Sequence, residues 1–171
     1  MAQQGTTGQR DYFAEARSFI GHRDEQRLGC VTEVALQRYA VAVGDLNPLY
    51  FDDQAARAAG YPGIIAPPNF LSAVLGWQAG PPEGELRPDG TTAADVAFIA
   101  LPGARLMGGG QELEIVRPVR PGDEVTLERR LADVEKREGK SGTLTLLKIE
   151  KRYRNQHDEL LLICRETLIA R

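Results

Sequence analysis

Residues 39–70 read YAVAVGDLNPLYFDDQAARAAGYPGIIAPPNF, and they decide the architecture. Their first five residues finish a helical stripe that begins upstream with Val34 and Leu36, continues through Tyr39, Ala40 and Val43, and is bounded by Thr32 as N-cap and Gly44 as the stop. Asp45-Leu46-Asn47-Pro48-Leu49-Tyr50 is turn chemistry, because Asp and Asn bond their own backbone and Pro48 biases Asn47 away from helix. A short alanine helix, Asp53 to Ala59, closes on Gly60. After Ile64-Ile65-Ala66, Pro67-Pro68 opens another helix. From Asn69 the run FLSAVLGWQ places apolar groups around most of its circumference until Gly80-Pro81-Pro82 ends it. Such a helix is buried on nearly all sides.

Downstream, Pro81 to about Thr92 is dense in Pro, Gly and charge and reads as a surface loop. The sequence then changes character. Residues 111–117, 123 to about 137, 143–154 and 159–170 are rich in Val, Ile, Leu and Thr, separated by PVRPG, EGKSG and NQHD, and predict four strands in an antiparallel meander. Leu144 and Leu146 fall on one face of the third, while Leu147, Ile149 and Tyr153 fall on the other, so it carries a bulge or packs on both sides. One buried helix followed by long strands is an α+β pattern in which a curved sheet wraps a helix. Upstream, residues 1–10 lack periodicity and predict a mobile tail before a single domain over 11–171.

Composition narrows the function. A chain of 171 residues with 42% hydrophobic and 26% charged residues supports one globular domain rather than a disordered segment. A formal charge of −3 supplies no field for nucleic acid, and no run reaches the roughly 18 apolar residues of a membrane span. His22, His157, Cys30 and Cys164 show no metal-ligand spacing, so no metal is expected. The histidines read as solvent-facing. The cysteines read as reduced thiols filling the core of a cytoplasmic protein, since the start MAQQGTTGQR has no apolar export region.

Residues 39–70, with MGGGQELEIVRPVRPGDEV at 107–125, resemble the MaoC-like (hydratase-2) branch of the hot-dog superfamily, and within it the FAS1-like N-terminal dehydratase domains. The resemblance implies a long central helix wrapped by an antiparallel sheet, with a second hot-dog continuing that sheet. It implies reversible hydration of 2-enoyl thioesters of coenzyme A or acyl carrier protein to (R)-3-hydroxyacyl thioesters, without metal or redox cofactor. Catalytic members carry Asp-x-Asn-Pro-x-His, whose Asp and His act on a water. They also carry an Ala-His-Gly run at the start of the central helix, where a backbone amide holds the thioester oxygen.

Asp45, Asn47 and Pro48 match the first motif, while Tyr50 stands in place of the histidine and Pro67-Pro68 in place of His-Gly. A phenol of pKa about 10 is protonated at neutral pH and cannot deprotonate water as an imidazole of pKa about 6.5 can. Proline has no N–H for an oxyanion. The resemblance therefore implies a degenerate site at Asp45 and Tyr50, with Asn47, Pro67, Pro68, Asn69 and Phe70 around the acyl group. The chain would be the accessory half of a dehydratase whose MaoC-like partner supplies the Asp/His pair, as in mycobacterial heterodimeric 3-hydroxyacyl carrier-protein dehydratases. Two alternatives stand beside this: a homodimeric enzyme using Asp45 and Tyr50, and a non-catalytic acyl-thioester binding protein. Structural readings also exist for these residues: Asp45 and Asn47 as a polar turn, Tyr50 as packing, Pro67-Pro68 as a helix start, and Phe70 and Trp77 as core. Arg117 and Arg120 could meet carrier phosphates or be solvated sheet-edge charges.

Overall fold

The computed structural model describes residues 11–73, 82–86, 98–99, 101–139 and 142–171. Chain order is α1 (Tyr12–Arg17), β1 (Arg23–Cys30), α2 (Glu33–Val43), a 3-10 turn (Pro48–Tyr50), α3 (Asp53–Ala58), α4 (Phe70–Ala73), a second 3-10 turn (Glu83–Glu85), β2 (Leu106–Ile115), β3 (Glu124–Gly139), β4 (Gly142–Arg154) and β5 (Leu160–Ala170). The caps of α2 are those expected: Thr32 Oγ1 accepts from Ala35 N at 3.2 Å, and Gly44 closes the other end. The expected tail at 1–10, Trp77 with the remainder of the buried helix, and most of the loop at 81–92 lie outside the described residues.

Among the described residues five antiparallel strands form one sheet in the order β1-β3-β4-β5-β2, which corrects the expected four-strand meander. β2 pairs with β5 rather than with its sequence neighbour β3. The connection from Val116 to Asp123 contains Pro118 and Pro121, whose fixed φ and missing N–H prevent a tight hairpin. The edge of β3 is taken instead by β1, a strand with no apolar alternation in its sequence, RDEQRLGC, held by cross-strand pairs such as Arg23 with Glu128 and Arg27 with Glu124. Cys30 ends that strand exposed, so only Cys164 fills the core as expected of both thiols. β2 also begins at Leu106, five residues before the expected Gln111. Its run Gly108-Gly109-Gly110 reads poorly as strand, yet it forms a bulge in which a Cβ on Gly109 would sit 3.0 Å from the Thr167 carbonyl oxygen.

β4 packs on both faces: Leu147, Ile149 and Tyr153 are buried on one, Leu146 on the other. The bulge lies in its partner β3, between Leu131 and Asp133. The extra residue there lets Val134, rather than Asp133, follow Leu131 into the core, opposite Leu147. Two apolar clusters result. One joins α2, the 3-10 turn, Ile64 to Ala66, Phe70 and Leu71 to Val125, Leu127, Tyr153, Leu161 and Leu162. The other joins Ala16, Phe98, Ile99 and Leu101 to Leu131, Val134, Leu147 and Ile149. Among the described residues no helix is long and apolar enough to cross a membrane, and no cluster of three or more His, Cys, Asp or Glu could hold a metal ion.

Candidate functional site

The end of α2 sets the first wall of the site. Asp45 N donates to Ala40 O at 3.0 Å, so the chain leaves the helix with the Asp45 carboxylate turned back over the following loop. Oδ1 of Asp45 accepts from Asn47 N at 3.3 Å, and Oδ1 of Asn47 accepts from Leu49 N at 3.1 Å. These two side-chain turns wind the 3-10 segment that brings Tyr50 inward until it is 5% exposed. The Tyr50 hydroxyl donates to Asp45 Oδ2 at 3.2 Å. Burial first, and then the neighbouring carboxylate that accepts its proton, hold the phenol above its ordinary range. Tyr50 is thus a fixed donor and no base, and Asp45 spends one oxygen on the phenol and the other on its own loop.

The second wall is the segment before α4. Ile65 N donates to Leu49 O at 3.1 Å and Ala66 N to Val119 O at 2.8 Å, so this stretch is bonded to the Tyr50 loop on one side and the β2–β3 connection on the other. α3 secures it: Asp53 Oδ1 accepts from Ile64 N at 3.2 Å, while Arg57 binds Oδ2 at 2.8 Å. Gly63 leaves room for that contact, since a Cβ there would lie 2.9 Å from Asp53 Oδ1 and make the carboxylate shift. The Arg57 bond, followed by the Ile64 amide, holds the Asp53 carboxyl below its ordinary range. With the Ala66 amide engaged and Pro67 and Pro68 lacking one, none of residues 66–68 offers an N–H to a bound oxygen.

Between the walls is an apolar cavity of about 340 Å3 lined by Tyr50, Tyr61, Ile65, Pro67, Pro68, Leu71, Ile115 and Val116, among others. The structure therefore brings Tyr50, Pro67 and Pro68 to the lining, whereas Asp45 and Asn47 are not lining residues and join the site only through the hydrogen bonds of the Tyr50 loop. It does not bring Asn69 and Phe70 to the lining. Phe70 is 1% exposed and packs edge-on against Tyr39, and Asn69 Oδ1 accepts from Ser72 Oγ and, at 3.2 Å, from Gln111 Nε2. Ile115, Val116, Tyr61 and Ile65 were not singled out from the sequence. No sequence signal marked the first two: Ile115 ends β2 and Val116 follows it, 54% and 46% exposed, and only the pairing of β2 with β5 brings them to the cavity. Arg117 lines both this cavity and an adjoining polar one of about 260 Å3 that holds Arg120, Asp123, Asn155 and Glu159. Arg117 faces Glu159 at 3.5 Å, and Asp123 Oδ2 accepts from the Arg120 backbone N–H at 2.8 Å. His22 and His157 are exposed and away from the cavity.

Residues 18–163 match the family described as FAS1-like, dehydratase domain region. A UPF0336 protein of Streptomyces avermitilis is 34% identical over 100 residues, covering 58% of this chain and 59% of that protein. The 3-oxo-4,17-pregnadiene-20-carboxyl-CoA hydratase alpha subunit of Mycobacterium tuberculosis is 33% identical over 107 residues, covering 61% of this chain and 33% of that protein. The chain thus spans well under two thirds of either relative. Among solved structures, a chain of the ChsH1-ChsH2 complex of Mycobacterium tuberculosis superposes with a TM-score of 0.67 and 25% identity, covering 92% of both chains. The fold is the hot-dog expected from residues 39–70, and the chain belongs to the FAS1-like dehydratase family within the MaoC-like group.

Proposed function

We propose that this member of the hydratase and dehydratase family is the accessory, acyl-binding half of a MaoC-like (R)-3-hydroxyacyl-thioester dehydratase, or enoyl hydratase, whose catalytic Asp/His pair lies on a partner subunit. The observation that carries the reading is the Tyr50 hydroxyl donating to Asp45 Oδ2 at 3.2 Å. Hydration of an enoyl thioester needs a group that takes a proton from water while the enolate oxygen is held. Here the residue at the base position is a buried phenol kept protonated, its carboxylate neighbour is already a hydrogen-bond acceptor for it, and residues 66–68 present no free amide. What the site retains is an apolar cavity beside that loop, suited to an acyl group carried on coenzyme A or acyl carrier protein. Water adds across the double bond and leaves again without change of oxidation state, so the reaction requires no redox cofactor.

The partner reading draws support from the chain's edge strand. β2 is ten residues long and, among the described residues, has one side unpaired, an arrangement that proteins cover by pairing. Its last residue, Ile115, reaches the cavity, so a hot-dog docked along β2 would stand next to the acyl site. The related alpha subunit of Mycobacterium tuberculosis and the similar chain of the ChsH1-ChsH2 complex are consistent with such an arrangement.

The test is loss of enoyl absorbance from crotonyl- and longer enoyl-CoA, measured with the chain alone, with a MaoC-like partner bearing an intact Asp-x-Asn-Pro-x-His, and with that partner mutated at its histidine. Turnover only with the intact partner is expected. Robust turnover by the chain alone would move the chemistry to Asp45 and Tyr50, and tight binding with no turnover in any mixture would leave a binding protein.

A further inference from the structure

Arg117, Pro118 and Leu161 line both the apolar cavity and the polar one of about 260 Å3 beside it, and Tyr61 borders the first where its neighbour Pro62 borders the second. A ligand that spans the two passes from hydrocarbon walls to charged groups. The backbone that carries those groups is fixed. Arg117 N donates to Leu161 O at 3.1 Å, Arg120 N to Asp123 Oδ2 at 2.8 Å, and Asp123 N back to Arg120 O at 3.2 Å. Pro118 and Pro121 stiffen the same connection. Opposite it, Asn155 Oδ1 accepts from Glu159 N at 3.0 Å and Asn155 Nδ2 donates to Glu159 Oε2 at 2.9 Å, which sets the Glu159 carboxylate against Arg117.

The corner holds equal numbers of cations and acids, Arg117 and Arg120 with Asp123 and Glu159. The Asn155 bond, followed by Arg117, holds the Glu159 carboxyl below its ordinary range. Asp123 meets Arg120 through the backbone, and among the described residues the Arg120 guanidinium makes no hydrogen bond or ion pair. A donor is thus left over, in a place where an anion is unwelcome. Phosphate drawn to Arg120 would stand beside two carboxylates, and like charges brought together oppose binding. An amide meets no such conflict, because its carbonyl oxygen accepts from a guanidinium while its N–H donates to a carboxylate. The pantetheine arm shared by coenzyme A and acyl carrier protein is built in the matching order: thioester sulfur, then two amides, with phosphate at the far end.

We propose that the corner of Arg117, Arg120 and Glu159 binds the amides of the pantetheine arm, with the Arg120 guanidinium donating to an amide oxygen, so that this subunit reads the arm its carriers share and not their phosphates. The inference rests on the acyl-binding reading and adds to it the chemistry recognised on the carrier side and the residue that recognises it. Arg120 is then neither a phosphate clamp nor an idle edge charge.

The experiment titrates the full chain, by calorimetry or NMR, with butyryl thioesters of ethanethiol, which has no arm, of pantetheine, which has both amides and no phosphate, of coenzyme A, and of acyl carrier protein. The parent is compared with Arg120→Ala, a change that keeps the backbone N–H bonded to Asp123. In the parent, the pantetheine ester should bind about tenfold or more tightly than the ethyl ester, with both carriers within about threefold of pantetheine and the coenzyme A affinity insensitive to added salt. Arg120→Ala should lose about tenfold on the pantetheine ester and nothing on the ethyl ester. A preference of about tenfold or more for coenzyme A over pantetheine, abolished by salt, assigns the corner to phosphate and overturns the inference. The same preference for the carrier protein assigns recognition to a protein surface and also overturns it. Equal binding of ethyl and pantetheine esters does so while leaving acyl binding intact, as does an Arg120→Ala variant that weakens both esters alike or neither. Failure of every thioester to bind the parent overturns the acyl-binding reading and this inference with it. Because the parent series has its own refuting outcomes, the inference stays exposed to test even where the variant does not fold.

Discussion

Replacing Tyr50 by Phe separates a structural phenol from a reacting one. The substitution deletes one atom, the hydroxyl whose 3.2 Å bond reaches Asp45 Oδ2, and leaves a ring of the same shape in a site that is 5% exposed. A hydrogen bond to an ionised acceptor contributes about 1.5–3 kcal/mol, but the half-buried Asp45 can take water in exchange, which brings the expected loss to about 1 kcal/mol. For a chain of this length that lowers Tm by roughly 2–4 °C. Calorimetry gives the first readout and enoyl turnover by the reconstituted pair the second. On the accessory reading, turnover by the complex stays within a few-fold of the parent while Tm falls. An unchanged Tm together with lost turnover would refute the reasoning, because it would mean that the hydroxyl meets substrate rather than Asp45.

Three further outcomes are expected. Gly63→Ala pushes a methyl against Asp53 Oδ1, which the exposed carboxylate relieves by turning away from the Ile64 amide, so urea titrations should show a loss of no more than about 1 kcal/mol. Tyr50 and Tyr153 both have phenols raised above the ordinary range, Tyr153 chiefly by burial, so neutral tyrosine stabilises the fold fully below about pH 10. That contribution is lost as pH rises through the raised values, and ultraviolet titration should show Tyr50 and Tyr153 ionising above the ordinary tyrosine range. Ile115→Lys with Val116→Glu places charge at the exposed end of β2 and should shift sedimentation toward a monomer; an unchanged association state would place the partner elsewhere.

What was legible in the sequence follows from the range of the forces involved. The α2 caps, the 3-10 turn and α3 are fixed by neighbours within five residues, and Thr32, Gly44, Asp45, Asn47 and Pro48 declare them directly. The strand order is not local. β1 carries mainly charge, and its pairing depends on acids and bases about a hundred residues away on β3. Likewise, Gln111 turns toward Asn69 only because the glycine bulge precedes it and β5 lies alongside. The site was therefore readable as a motif at 45–50, whereas the cavity lining from β2 emerged only from the register.

Retention of a complete architecture around a degenerate motif has a physical basis in where the loop's hydrogen bonds go. Asp45 is satisfied by Asn47 N and by Tyr50, Asn47 by Leu49 N, and Ala66 N by Val119 O, with none of these bonds needing an imidazole or a bound ligand. The pocket wall thus stands independently of the residue that would perform chemistry. A histidine at position 50 would have to displace the phenol's bond to Asp45 and would still face Pro67 and Pro68, which give a thioester oxygen no amide. Tyr50→His in the isolated chain should accordingly remain inactive toward crotonyl-CoA while still folding. Activity restored by that single change would show that an oxyanion donor other than residues 66–68 already serves this cavity.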